Sequence, residues 1–230
     1  MKHILITRFK YDDENKFNSR LKIMEDTLIP SLKRQTNQNF IWCVITRNKK
    51  HREIIQSKYN KDIVFLNNWE EIKEHVKENE YTIQTRQDSD DIICDDYVKI
   101  IQDEVNKSNK DILLIQFQPT KLHYKTKSEY HMIKYTNKFT SMFLTLYQKN
   151  VIHGVHDYKH GDMFNLTSNI ITIPEGCVNL VIHDDNMVTN LTANDRLIKK
   201  PVNPEIKKQT LKITSLIETT RKTVVKNPPL

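Results

Sequence analysis

Three aspartates lie within four consecutive residues of this sequence, Asp88, Asp90 and Asp91. Carboxylates this close repel one another and raise one another's pKa unless a cation holds them, and hard divalent cations take carboxylate oxygens as ligands. Acidic clusters are also common in solvated turns and helix caps. The cluster therefore allows two interpretations, a site for a metal ion and a diphosphate or an ordinary acidic turn.

The segments on either side of the aspartates favour the first interpretation. Residues 81–86 alternate in the manner of a strand, and residues 92–108 have the pattern of a helix. The acids therefore follow the carboxyl end of a strand, which is where ligands bind in open α/β sheets.

Two arginines could add cationic contacts to such a site. Arg8 comes just after the first predicted strand, and Arg86 directly precedes the acidic run. A guanidinium offers a planar fork of donors to a phosphate or a carboxylate. Arg86 could equally pair with its acidic neighbours and order the turn.

A second group of titratable side chains occurs later, at His153, His156, Asp157, His160 and Asp162. Nearby glycines indicate a loop, and the spacing of the histidines is not that of a zinc-binding helix. A carboxylate or an imidazole in such a loop could act as a general base.

The elements that must hold these residues alternate between strand and helix in the first half of the chain. Strands are predicted at residues 3–7, 40–46, 62–66, 81–86 and 111–117, and helices in between. After Pro119, shorter strands are predicted at 130–135, 141–147, 169–173 and 178–183. The fold class predicted is α/β, a mixed but mainly parallel sheet flanked by helices, with antiparallel additions in the second half.

Length and charge limit the organisation and the partners. With 230 residues and a net charge of +7, we expect one domain over residues 1–200 and a basic helix and tail over 201–230. The tail either packs on the domain or touches anionic lipid. The lysines indicate a general affinity for anions, without a recognised nucleic-acid motif.

Cellular location is inferred from what the sequence lacks. No apolar run reaches the roughly 18 residues that span a bilayer, and the first residues do not resemble a secretion signal. We therefore expect a cytoplasmic protein, with peripheral contact to the inner membrane face as an open alternative. Accordingly, Cys43, Cys94 and Cys177 are expected to be reduced thiols.

Four segments together carry a family resemblance: TRF at residues 7–9, the stretch 27–46, TRQDSDD at 85–91 and VNLVIHDDN at 178–186. In this order they resemble the bacterial rhamnosyltransferase-like group of glycosyltransferases, and the similarity spans roughly residues 4 to 190. That group is similar to the wider GT-A class. The resemblance implies a GT-A-like fold and an enzyme that moves a sugar from a nucleotide-sugar donor to a glycan or lipid-linked acceptor, with inversion expected.

The resemblance also implies roles for particular residues. Asp88, Asp90 and Asp91 match the DxD-type motif that holds Mn²⁺ or Mg²⁺ against the donor diphosphate, and His183 matches an additional metal ligand or diphosphate contact. Mixed carboxylate and imidazole ligation favours Mn²⁺. The residues implied on the nucleotide side are Thr7, Arg8, Phe9, Arg86 and Asp88.

The catalytic base is predicted within the histidine-rich loop, because an inverting transferase needs a group that accepts the proton of the acceptor hydroxyl. Asp157 is preferred over Asp162, and His156 is assigned to substrate contact or proton handling. Two other classes of protein stay open. Clustered aspartates and histidine also serve metal-dependent phosphoesterases or nucleases, and a catalytically silent module could bind a sugar nucleotide.

Overall fold

The computed structural model describes residues 1–59, 61–77, 79–126, 129–133, 143–149, 153–156, 162–174 and 177–182. Between residues 120 and 133, and at residue 182, only the backbone is described. The strands are β1 (Lys2–Arg8), β2 (Ile41–Ile45), β3 (Val64–Leu66), β4 (Tyr81–Arg86), β5 (Ile92–Ile93), β6 (Ile112–Phe117), β7 (Thr120–Thr126), β8 (Glu129–Ile133), β9 (Thr145–Lys149), β10 (Ile170–Ile173) and β11 (Val178–Ile182). The α-helices are α1 (Glu14–Asp26), α2 (Leu28–Lys33), α3 (Lys49–Lys58) and α4 (Tyr97–Lys107).

Seven strands form the main sheet in the order β10-β6-β9-β4-β1-β2-β3. The pairs β1–β2, β1–β4, β2–β3 and β6–β10 are parallel, and β9 is antiparallel to both β4 and β6. A smaller sheet has the order β5-β11-β7-β8. The predicted α/β class with a mainly parallel sheet is confirmed.

Both faces of the main sheet are covered. On one face, α1, α2 and α4 pack their apolar sides around Leu5, Ile83 and Ile115. On the other face, a second apolar cluster forms around Ile4, Ile6, Leu114, Leu146 and Val155. Because the sheet is buried on both faces, the polar side chains that alternate along β4 also point into the interior.

One predicted helix boundary is wrong. The helix expected at 92–108 begins at Tyr97, because Ile92 and Ile93 form β5 and pair with β11. The break between α1 and α2 falls at Thr27, three residues before Pro30. Proline is tolerated in the first turn of α2, since the N–H that it lacks would have no partner there.

The second half of the chain contains the antiparallel strand β9 that was predicted, but two pairings differ from expectation. β10 lies parallel to β6, and β11 lies parallel to β7. β7 itself was not predicted. Its residues do alternate, since Leu122 and Tyr124 lie between Lys121, His123 and Lys125. It pairs with the next strand, β8, and with β11, which is distant in the chain.

The expectation of three reduced thiols is wrong for two of them. Cys94 and Cys177 form a disulfide, with their Cα atoms 4.8 Å apart and a sequence separation of 83 residues. The Cys94 N–H also donates to the Cys177 carbonyl at 2.7 Å. Topology brings the cysteines together, which their spacing in the sequence could not reveal. Cys43 is a free, buried thiol, and burial raises its pKa to about 12.

Two expectations concern segments beyond the described part of the chain. The basic helix and tail at 201–230 lies outside the described residues, so the division into residues 1–200 and 201–230 stays a prediction. In the part of the chain that is described, no helix has both the length and the apolar character that a membrane crossing requires.

One buried histidine gives the fold a pH dependence. His3 is 4% exposed on β1, with its Nε2 2.9 Å from Thr85 Oγ1 and its Nδ1 3.3 Å from Gln102 Nε2. Neither partner carries a charge, and burial lowers the pKa of His3 from 6.5 to about 3. The unfolded chain therefore binds the proton more tightly, so this contribution to stability is present above pH 6.5 and is lost as the pH falls toward 3.

We expect that lowering the pH from 7 to 5 reduces the free energy of unfolding by about 2 kcal/mol through His3 alone. His3→Gln keeps polar atoms in the site without a titrating group and should remove that part of the pH dependence. Urea unfolding of both proteins at the two pH values measures it, with the half-buried His75→Gln as a control. Equal pH dependence in wild type and His3→Gln would contradict the assignment.

Candidate functional site

The strand order of the main sheet reverses between β1 and β4. From β1 the chain adds β2 and β3 on one side, and then returns to place β4 on the other side. In open α/β sheets, ligands bind at such a reversal, outside the carboxyl ends of the strands. Arg8 ends β1 at this edge, and the acidic turn follows the end of β4.

The acidic turn is more buried than its composition suggests. Asp90 is 6% exposed and Asp91 is 1% exposed, whereas the side chain of Asp88 is 36% exposed. The backbone of the turn is tied to the sheet, since the Gln87 N–H donates to the Ile6 carbonyl at 2.9 Å. The turn is therefore an ordered part of the structure, with Asp88 as its most accessible carboxylate.

Asp90 has a buried cationic partner. Arg20 on α1 donates from an NH2 group to Asp90 Oδ2 at 3.1 Å, and the two side chains are 9% and 8% exposed. The Arg20 Nε–H donates to the Tyr11 hydroxyl at 3.0 Å, and the guanidinium lies 5.8 Å from the centre of the Tyr11 ring. This pairing balances one of the three acidic charges.

Asp91 joins the acidic turn to the smaller sheet. Its Oδ1 accepts the Val181 N–H at 3.1 Å, two residues before the predicted metal ligand His183, which lies outside the described residues. Its Oδ2 is buried without a hydrogen-bond partner in the described structure. Burial, with the nearby charges of Asp90 and Asp88, raises the pKa of Asp91 well above 3.8.

The carboxylates fit a hard divalent cation by their chemistry. Asp88 and Asp90 supply oxygen donors, and Mg²⁺ is commonly held by one or two carboxylates together with substrate phosphates. Within the described residues, no group of three acidic, histidine or cysteine side chains is arranged as a complete metal site. A metal here would therefore need oxygens from a substrate or from further residues.

Arg86 adopts the pairing that was one of its two predicted roles. Its Nε–H donates to Asp88 Oδ1 at 3.4 Å, and its side chain is 22% exposed. This contact is long and half exposed, so it orders the turn only weakly. Arg86 can still reach a phosphate bound at the same edge.

A cationic group lines the ends of β1 and β2. The Phe9 N–H donates to the Ile45 carbonyl at 3.0 Å and continues the parallel ladder past Arg8. Lys10 and Arg47 follow these residues. Burial, with the charges of Arg47 and Arg8, lowers the pKa of Lys10, which indicates that like charges gather at this edge.

Two of the predicted nucleotide contacts are core residues. Thr7 and Phe9 are 0% exposed. The Thr7 hydroxyl oxygen accepts the Trp42 Nε1–H at 3.0 Å, and the Phe9 ring packs edge-on against Tyr11 and Phe17. Only their backbone could face a ligand, whereas Arg8 presents an exposed side chain.

The histidine-rich loop is only partly described. His153 and His156 are half-buried, and Asp162 is exposed at the start of the 3-10 helix Asp162–Asn165. Asp157 and His160 lie outside the described residues. The structure thus describes residues 153–156, which precede the predicted base Asp157, and does not describe the base.

Sequence reasoning missed three residues that hold these segments. Arg20 lies three residues after Phe17 and four before Met24, on the buried face of α1, so a charge on an apolar helix face was the available signal. Gln84 and Gln148 belong to the alternating polar residues of their strands, which resemble a solvated face. Their side chains are 0% and 1% exposed. This burial follows only from the second apolar layer that covers the sheet.

A mainly parallel sheet flanked by helices, with an acidic turn at the carboxyl end of its central strand, has the GT-A-like architecture. Among solved structures, S. aureus TarS 1–349 in complex with UDP-GlcNAc is similar with a TM-score of 0.50 and 13% identity, over 81% of this chain and 60% of that chain. TarS 1–349 in complex with UDP gives 0.48 and 13%, over 79% and 61%. The chain spans 36% to 61% of the length of the TarS chains.

Sequence comparison identifies the family. A profile of the family described as putative rhamnosyl transferase matches residues 6–194, most of the 230-residue chain. The chain belongs to this family, which confirms the predicted family. No curated protein has a sequence that matches this chain.

Proposed function

We propose that this protein is a metal-dependent glycosyltransferase that moves a sugar from a nucleotide-sugar donor to a glycan or lipid-linked acceptor, with inversion at the sugar carbon. The observation that carries the proposal is the acidic turn at the carboxyl end of β4, beside Arg8 at the end of β1. Family membership supports the transferase class, and the reversal of strand order between β1 and β4 supports this edge as the donor site.

The donor diphosphate would lie between two kinds of charge. Arg8, Lys10 and Arg47 offer positive charge on the β1–β2 side, and Arg86 offers a guanidinium beside the turn. A divalent cation, Mn²⁺ or Mg²⁺, would be held by Asp88 and Asp90, with Asp91 and His183 as further candidate ligands, and would neutralise charge on the departing diphosphate. Without such a cation, the carboxylates would repel the phosphates.

Asp91 also has a positioning role in this proposal. Its Oδ1 holds the Val181 N–H at 3.1 Å, so it fixes β11 beside the acidic turn and sets the start of the segment that carries His183. One carboxylate oxygen serves this backbone contact. The other oxygen, buried without a hydrogen-bond partner in the described residues, is available to a ligand.

The acceptor side is assigned to the histidine-rich loop. Asp157 would accept the proton of the acceptor hydroxyl as that oxygen attacks the sugar carbon, with His156 beside it and Asp162 as the alternative base. The basic segment 201–230 would bring the enzyme to an anionic membrane surface, where it would meet a lipid-linked acceptor.

A donor panel tests the proposed function. UDP-GlcNAc, which the TarS complex contains, is the first probe, followed by UDP-, GDP- and dTDP-sugars, each with Mn²⁺, Mg²⁺ or a chelator. We expect metal-dependent turnover of one donor class and nucleotide release. Cleavage of phosphoesters or nucleic acid without sugar transfer would replace the proposal with a phosphoesterase, and binding without any turnover would indicate a silent module.

A further inference from the structure

Two buried glutamines form hydrogen bonds to one stretch of backbone beside the candidate site. Gln84 on β4 and Gln148 on β9 are 0% and 1% exposed, and we call the pair the glutamine clamp. A buried amide is costly unless its donors and its oxygen find partners. Both side chains direct their hydrogen bonds to residues 153–155, which lead into the histidine-rich loop.

The contacts of the clamp use both ends of each amide. Gln84 Nε2 donates to the His153 carbonyl at 3.2 Å, and its Oε1 accepts the Val155 N–H at 3.3 Å. Gln148 Nε2 donates to the same His153 carbonyl, and its Oε1 accepts the His153 N–H at 3.3 Å. Glutamine suits this task because one side chain is donor and acceptor at once.

The clamp also sets the direction of the loop. In the register of β4 and β9, Gln148 lies opposite Thr82, two residues before Gln84. Because His153 contacts both glutamines and Val155 contacts Gln84, the segment runs along β4 toward its carboxyl end. Val155 is 2% exposed and packs in the apolar cluster on this face.

We propose that Gln84 and Gln148 are positioning residues of the transferase, which fix the backbone of residues 153–155 beside β4 and thereby hold the adjoining His156, the residue assigned to substrate contact or proton handling. This inference rests on the proposed function, since it supplies the geometry for the acceptor side of that reaction. The clamp itself touches no reacting atom.

The test replaces each clamp glutamine with methionine, which keeps the shape and removes the hydrogen bonds. Gln116→Met is the matched control. Gln116 lies on the same face of the same sheet, is 5% exposed, and donates to Thr172 Oγ1 at 2.7 Å on β10. Gln84→Asn keeps an uncharged amide but is one methylene shorter, so that it cannot span the same two contacts, and it serves as the second variant if a methionine variant does not fold.

We expect kcat of the clamp variants to fall about 10- to 100-fold, because small misplacements of a catalytic group have effects of this size. The affinity and the stoichiometry of UDP binding, measured by calorimetry, should stay at the wild-type level. A variant that merely folds less well would lose kcat and UDP-binding sites in the same proportion. The control should show this proportional loss if part of it is unfolded. Wild-type kcat in both clamp variants would overturn the proposal.

Hydrogen exchange separates this inference from the proposed function. The Val155 amide should exchange about tenfold faster or more in Gln84→Met, and the His153 amide in Gln148→Met, because each variant removes the acceptor of that amide. The amides of β4 and β9 should stay unchanged, and the control should keep wild-type protection. Unchanged protection of both amides would overturn the clamp even if the enzyme is active. Faster exchange in the clamp variants, together with a wild-type protein that transfers no sugar, would support the hydrogen bonds of the clamp and reject the transferase.

Discussion

Replacing Asp90 by asparagine is expected to abolish metal-dependent binding of a nucleotide diphosphate. We expect affinity for UDP with Mn²⁺ to fall at least about 100-fold, since even residues behind a metal ligand contribute about 10- to 100-fold. The cause is the loss of a charged oxygen donor at the edge between β1 and β4. Calorimetry with and without a chelator measures the change.

The matched control is Asp95→Asn. Asp95 lies five residues after Asp90 and also pairs with an arginine, Arg34, at 3.0 Å, but that pair joins the end of α2 to the segment after β5. Its replacement should leave UDP binding at the wild-type level. Tight UDP binding that neither the chelator nor Asp90→Asn disturbs would remove the metal from the proposal.

Stability of the Asp90 variants follows from the buried partner. From the sequence alone, Asp90 is one of several like charges, so its replacement by alanine is expected to leave the melting temperature unchanged. The structure revises that expectation, because Asp90→Ala leaves the guanidinium of Arg20 buried without its carboxylate. Breaking a buried pair in this way costs about 3–5 kcal/mol. Asp90→Asn retains an acceptor for Arg20 and is therefore the better test of binding.

Replacing Asp157 by asparagine is expected to abolish sugar transfer while donor binding survives. A general base contributes about 10²- to 10⁴-fold to turnover, and asparagine cannot take the proton. Steady-state turnover and UDP calorimetry on the same preparation separate the two effects. The donor site is built from β1, β4 and the acidic turn, so nucleotide affinity should stay at the wild-type level.

Asp162→Asn accompanies this variant as the control. Asp162 is exposed at the start of a 3-10 helix and is the alternative candidate for the base. If Asp157→Asn turns over at the wild-type rate and Asp162→Asn does not, the role passes to Asp162. If both variants are active, a histidine of the loop takes the proton.

Much of the fold could be predicted because its signals are local. The strands β1, β2, β3, β4 and β6 follow from short apolar or alternating runs, and α1 and α3 from helical spacing. The place of the acidic turn at the end of β4 follows from the same local pattern. The start of α4 was wrong because Ile92 and Ile93 satisfy a helical period as well as a strand, and only the pairing with β11 decides between them.

The sequence by itself determined the class of fold, the family and the position of three carboxylates at a strand end, since each depends on residues close together in the chain or on their order. Only the tertiary structure decided what these carboxylates contact. Arg20 and Asp90 are separated by 70 residues, Asp91 and Val181 by 90, and Cys94 and Cys177 by 83. Such contacts form where the topology of the two sheets brings distant segments to one edge, and no local pattern encodes that distance. The buried polar face of β4 has the same origin. The alternation along a strand shows that it has two faces, but it does not show which face a later segment of the chain will cover.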